Sequence, residues 1–210
     1  MQKKLIIFIP SIEGGGVEKN LFIISKYLKD KIKNISVITL SNRYKNRFVG
    51  INFISPKANF WSKIGRRKKF FVSLFLLFLE ILKDRNILVF SFQGNVYCTL
   101  LCKLLGIKII VRSNSAPDGW SQNKLKYLVF KYVLGSADKI IVNSLDFKKK
   151  FKTKFKIHAE CIYNPLNKNE IIKKSKIKNK FKFDKKKLNI INVGRYTDQK
   201  DQLTILKAVN

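Results

Sequence analysis

From Lys3 to Val142, short apolar runs alternate with longer segments of helical period, and this alternation restricts the fold more than any other feature of the chain. A short apolar run, a helix and another short apolar run form a crossover βα unit, whose strands pair in parallel and are buried under helices. The pattern predicts strands at Leu5–Ile9, Ile35–Leu40, Ile51–Ile54, Ile87–Phe92, Ile107–Val111 and Lys139–Val142, with a short one at Ala159–Tyr163. Helices are predicted at Val17–Leu28, with Leu21, Ile24 and Leu28 on one face, and at Phe70–Leu82, Val96–Leu105 and Lys124–Leu134. Gly106 and Gly135 stand where helices stop. The expected class is α/β, a Rossmann-like and mostly parallel sheet with helices on both faces, over a front domain of residues 1–165.

Asn164 and Pro165 make a turn, and residues 166–187 are polar and Lys-rich, a linker or a peripheral helix. The alternation restarts with a predicted strand at Leu188–Val193, a glycine loop and a helix at Gln202–Val209. Residues 188–210 therefore read as the first βα unit of a second Rossmann-like domain. One strand and one helix bury no core of their own, so that domain reads as incomplete.

Forty-four Lys and Arg against 13 Asp and Glu give a net charge of +31, a field that attracts phosphates, anionic headgroups or nucleic acid. The cations are mostly Lys, on solvent faces and loops, and travel with abundant Asn, Ile and Phe, so a chain-wide composition bias explains them as well as function does. Nucleic-acid readers concentrate Arg and aromatic residues on one platform, and no nucleic-acid partner is expected here. Cys98, Cys102 and Cys161 cannot all pair and show no disulfide spacing, which favours a reducing cytoplasm. With His158 as the single histidine, no metal site is expected. Pro10 interrupts the apolar run after Lys3, which fits a first strand better than a leader peptide. Residues 70–82 are too short for the ~20 residues of a spanning helix. Because Arg66, Arg67, Lys68 and Lys69 precede them, residues 66–82 read either as a helix lying peripherally on an anionic membrane, at its inner face, or as a buried helix with a solvated basic start.

Two glycine-bearing turns, Gly14-Gly15-Gly16 and Gly194, each join a strand to a helix. At such turns in a doubly wound sheet the next helix offers unpaired N–H groups to an anion, and glycine lets the backbone come close. The first turn is not the dinucleotide fingerprint, because Asn20 and Leu21 occupy the region of its third glycine. In the stretch INVGRYTDQKD at 191–201, Arg195 follows the glycine and Lys200 stands five positions on. A planar fork and a point charge in one loop suit a diphosphate.

The V-G-R, the short gap, the Q-K and the apolar helix after them resemble the hallmark of retaining glycosyltransferase family 4, also called glycosyl transferases group 1, of GT-B fold. GGGVEKNL at 14–21 is similar to that family's first loop, VNS at 142–144 to the end of its front domain, and IYNPL at 162–166 to its crossover into the second. The resemblance runs along essentially the whole chain and is nearest to bacterial members that build surface polysaccharide or lipid-linked glycans. It implies transfer of a sugar, with retention, from a nucleoside-diphosphate-sugar donor to a glycan or lipid-linked acceptor, without a metal or other cofactor. Arg195 and Lys200 would be catalytic, holding the diphosphate and stabilising its charge as it leaves. Gly14, Gly15, Gly16 and Gly194 would approach the ligand, and Arg112, Ser113 and Asn114, placed just past the strand at 107–111, would touch sugar or acceptor. His158 does not match the front-domain histidine of some members and reads as a surface residue. The paired glutamates of the family's second domain are not in these 210 residues, so the chain alone is not expected to be a competent enzyme. The rival readings are a non-catalytic binding or membrane-associated module and, from the charge, a nucleic-acid-binding protein.

Overall fold

The computed structural model describes residues 3–58, 60–120, 123–177, 186–194, 196 and 201–209. The chain divides into two compact units, Met1–Asn167 and Lys168–Asn210.

The first unit is built on seven strands: β1 Lys4–Phe8, β2 Ile35–Ile38, β3 Asn52–Ile54, β4 Ile87–Ser91, β5 Lys108–Ser113, β6 Lys139–Val142 and β7 Glu160–Cys161. They form one sheet in the order β3-β2-β1-β4-β5-β6-β7, with every neighbouring pair parallel. Ile6, Ile7 and Phe8 of β1 are all fully buried, as a strand apolar on both faces must be when helices cover both. The helices are α1 Gly16–Lys29, α2 Phe60–Lys63, α3 Arg66–Lys83, α4 Asn95–Leu104, α5 Lys124–Val129 and α6 Leu145–Lys150.

Successive residues of a strand point to opposite faces, and the two faces carry separate cores. Leu5, Ile7 and Ile9 pack with Val37 and with Leu21 of α1. Ile6 and Phe8 belong to the other core, with Leu77 and Ile81 of α3, Cys98 and Cys102 of α4, and Phe130 and Leu134 after α5. Burial, and then the neighbouring Cys102, push the Cys98 thiol well above its ordinary range, and these two cysteines serve as small packed hydrophobes.

Three elements differ from the sequence-based expectation. The α-helical geometry after Asn123 ends at Val129, and Phe130–Leu134 continue as a π-helical turn. β5 runs on to Ser113, because Ile110, Val111, Arg112 and Ser113 all find partners in β6. No strand forms at 188–193, where Leu188 and Val193 stand exposed. A strand exists only by pairing, and among the described residues none lies alongside this segment. The second unit contains α7 Lys168–Ser175, inside the stretch read as a linker or peripheral helix, and α8 Gln202–Val209.

α3 is tied to the start of β1 by a charge pair. Glu80 accepts hydrogen bonds from Lys4 Nζ at 2.6 Å and Lys83 Nζ at 2.7 Å. Burial by itself would raise this carboxyl, but the two lysines outweigh it and hold Glu80 below its ordinary value of 4.5. A carboxylate with a depressed folded-state pKa contributes stability above the unfolded value, and that contribution is lost as pH falls through the folded one. Glu80→Gln is predicted to lower the stability from urea unfolding near pH 7 by roughly 1.5–3 kcal/mol. The difference from the parent chain should close as pH is taken down from 4.5.

Candidate functional site

The strand order reverses between β1 and β4. From β1 the chain builds outward through β2 and β3, then returns to the other side of β1 and continues through β4 to β7. At such a switch point the loops leaving the two central strands splay to opposite faces, and a crevice opens at the carboxyl edge of the sheet. The loop after β1, residues 9–15, and the loop after β4, residues 92–94, form its two sides.

Hydrogen bonds hold both loops. Ile12 N–H donates to Ser41 Oγ at 2.8 Å, and Ser11 N–H reaches Gln93 Oε1 at 3.4 Å, from one side of the crevice to the other. Glu13 N–H donates to Oε1 of Glu18, a buried carboxylate in the first turn of α1, where the helix dipole favours an anion. Gly14 has φ +88, which L side chains rarely adopt, and Gly15 is the N-cap of α1. A side chain at Gly15 would meet Glu18 Oε2 at 3.0 Å, whereas one at Gly16 would meet nothing within 4 Å. Across the crevice Gly94 caps α4 with φ +66, and a side chain there would run into the ring of Phe70 from α3. Neither cap carries a side-chain hydrogen bond. Two helix amino termini thus flank one crevice with N–H groups that no cap takes, a setting for an anion.

Gln93, Gly94 and Asn95 are the part that sequence reasoning missed. Asn95 Oδ1 accepts from Ser91 Oγ at 2.9 Å while its Nδ2 donates to the Arg112 carbonyl at 3.0 Å, which fixes the ends of β4 and β5 to each other. The available signal was the glycine in Phe92-Gln93-Gly94-Asn95, directly after a predicted strand and before a predicted helix.

Arg112 and Ser113 lie inside β5 rather than in the loop expected for them, a correction that follows from the longer pairing with β6. Arg112 is 1% exposed, and its Nη2 donates to the Ile162 carbonyl at 3.2 Å and to Asn164 Oδ1 at 3.0 Å. It holds the chain at Ile162 and Asn164 from within. Burial lowers its pKa and the nearby Cys161 works the other way; an arginine stays charged through such a shift. Ser113 Oγ donates to the Ser115 carbonyl at 3.3 Å. Asn114, past the strand, sends Nδ2 to the Arg112 carbonyl at 3.4 Å and leaves Oδ1 unpaired, as does Asn143 at the end of β6. Those two amide oxygens stand at adjacent strand ends on the same edge as the glycine loops.

Gly194 is exposed in a bend of the second unit, and Arg195 and Lys200 lie outside the described residues. His158 is exposed, as expected, and lines a cavity of about 740 Å³ with Lys131, Lys139 and Lys156. That cavity opens at the amino-terminal ends of β6 and β7, away from the glycine loops. Among the described residues no cluster of His, Cys, Asp and Glu suited to a metal ion occurs.

No protein-family model and no curated protein matches the chain. Solved structures do. Anabaena Alr3699/HepE in complex with UDP and glucose superposes with a TM-score of 0.57 at 13% identity, over 80% of this chain and 46% of that one. Its complex with UDP-glucose gives 0.54 at 14%, over 80% and 45%. A glycosyltransferase from Rickettsia africae ESF-5 gives 0.51 at 16%, over 85% and 51%. The chain has their fold. It is the Rossmann-like α/β fold of GT-B glycosyltransferases, and the chain spans about half the length of the structures it matches.

The geometry separates the glycines. Gly94→Ala is predicted to destabilise the chain by about 1–3 kcal/mol, since the new side chain meets both a left-handed φ and the Phe70 ring. Gly16→Ala, into open space at a helix start, should be neutral or add about 0.4–1 kcal/mol. Urea unfolding of the two variants side by side checks the contrast.

Proposed function

We propose that this chain is part of a glycosyltransferase that takes a sugar from a nucleoside-diphosphate-sugar and passes it, with retention, to a glycan or lipid-linked acceptor. The observation that carries the reading is the fold shared with HepE, a protein solved with UDP and with UDP-glucose, combined with two uncapped helix amino termini at the switch point. UDP brings a diphosphate, and helix amino termini at a carboxyl-edge crevice suit phosphate oxygens.

In this reading Gly14, Gly15 and Gly16 approach the phosphates or the acceptor from the first unit. Arg195 and Lys200 hold the diphosphate, with Gly194 giving the backbone room beside them. As the glycosidic bond to the donor breaks, negative charge grows on the leaving diphosphate, and fixed cations stabilise that charge more than the ground state. No metal is required for this step when two cations meet the diphosphate. Asn114 and Asn143 supply amide groups beside the sugar or acceptor. Such a protein works in the cytoplasm, where nucleotide-sugars are made, and its products fit surface polysaccharide or glycolipid.

The test is transfer from UDP-glucose and related donors by the full-length protein. A charge-assisted contact is worth roughly 1.5–3 kcal/mol, so Arg195→Ala and Lys200→Ala should each lower turnover about tenfold to a hundredfold or more. Near-parental rates in either variant would remove the proposed role. Salt-sensitive nucleic-acid binding, with no donor turnover under any condition, would favour the charge-driven rival.

A further inference from the structure

The cavity at the amino-terminal ends of β6 and β7 stands apart from the crevice, since the four residues of β6 alone put roughly 13 Å between the two edges of the sheet. Its volume of about 740 Å³ is in the range of small-molecule sites. Buried Ile140, Ile157 and Ala159 line its inner side. Three lysines come to it from separate elements: Lys131 from the π-helical turn after α5, Lys148 from α6 and Lys156 from the bend that leads to β7. His158 adds its imidazole.

Two carboxylates also line the cavity, and both are occupied. Asp138 accepts from Lys103 Nζ at 2.6 Å and from the Ile109 N–H at 2.8 Å. Glu160 accepts from Lys139 Nζ at 2.8 Å, and that bond holds its carboxyl below the ordinary value of 4.5, with Lys148 adding a weaker pull. Among the described residues no carboxylate lies within 4 Å of Lys131, Lys148, Lys156 or His158. Lys131 is steadied instead by aromatic faces, its Nζ standing 5.4 Å from the centre of the Tyr132 ring and 5.9 Å from that of Tyr127.

Lys156 also departs from the residue that its backbone favours. It closes the π-helical turn at Phe151–Phe155 with φ +59, and the next N–H, of Ile157, returns to the Phe151 carbonyl at 3.2 Å. Glycine is the usual residue in such a left-handed helix end, as Gly106 is after α4 with φ +69. An abundance of lysine spreads cations over a surface; it does not by itself put one where glycine fits better, beside two others that line the same hollow. A concave wall concentrates their field. An anion that meets three ammonium groups together carries two or more negative charges. A phosphomonoester or a diphosphate does, whereas the phosphodiesters of nucleic acids and of common lipid headgroups carry one for each phosphate.

We infer that this cavity is a second anion site, for a soluble phosphomonoester or diphosphate, separate from the crevice at the carboxyl edge. It rests on neither the donor nor the acceptor, so its failure leaves the sugar-transfer reading untouched.

Amide spectra of the labelled 210-residue chain, titrated with inorganic pyrophosphate at constant ionic strength, test this. The resonances of Gly135, Ser136, Lys156 and His158 should move together and saturate, at concentrations at least about tenfold below those needed with dimethyl phosphate, which carries a single charge. Lys156→Gly removes one cation and relieves the left-handed backbone. It should weaken binding at the cavity about fivefold or more while keeping or raising the urea midpoint, a split that a merely structural lysine would not give. Lys148→Gln, exposed on α6, should weaken binding similarly and serves if the first variant misfolds. Lys45→Gln, on an exposed turn after β2, should leave the affinity unchanged. If pyrophosphate also enters the crevice, those resonances should saturate as a separate set that Lys156→Gly does not move. Parental affinity in both cavity variants, an equal loss with Lys45→Gln, or shifts that never saturate would overturn the inference. Shifts confined to the crevice would overturn it as well, while supporting the sugar-transfer reading.

Discussion

Everything in the first unit follows from parallel pairing on both sides of β1. A strand buried on both faces needs helices on both faces, and parallel neighbours need crossovers to supply them. Once β2 and β3 occupy one side and β4 the other, the loops after β1 and β4 must part, and the crevice between them results from connectivity rather than from any one residue. The glycines then act within an opening that already exists. Gly14 takes a left-handed turn that brings the chain into α1, and Gly94 does the same for α4 under the Phe70 ring. Gln93, accepting from the Ser11 amide, keeps the two sides in register.

Most of this was legible in the chain itself. The apolar runs located all seven strands of the sheet to within a few residues, because a doubly buried strand leaves little freedom in composition. The triple glycine pointed to one side of the crevice. Gly94 did not stand out, since a single glycine between strand and helix is common and only the three-dimensional order reveals that β4 neighbours β1. Arg112 was misplaced for a related reason. A charged residue after an apolar run looks like the start of a loop, yet here the strand continues, and the guanidinium is accepted inside by the Ile162 carbonyl and Asn164. The segment at 188–193 has the composition of a strand, but composition cannot supply the neighbours that a strand needs.

The positive charge sorts into several roles in the structure. Some lysines meet the few acids, as Lys103 does with Asp138 and Lys139 with Glu160. Lys150 and Lys154 converge on Asp118. Such exposed pairs contribute little to stability. Others, Lys131 and Lys156 among them, line the cavity beside His158.

Amide spectra of the isotopically labelled chain during a UDP titration address the central claim most directly, because they report where the nucleotide binds. The account predicts that the resonances of Gly14, Gly15 and Gly16 and of Gln93, Gly94 and Asn95 move together and saturate. Shifts confined to the basic cavity around His158, or no saturable shifts at the carboxyl edge, would contradict it.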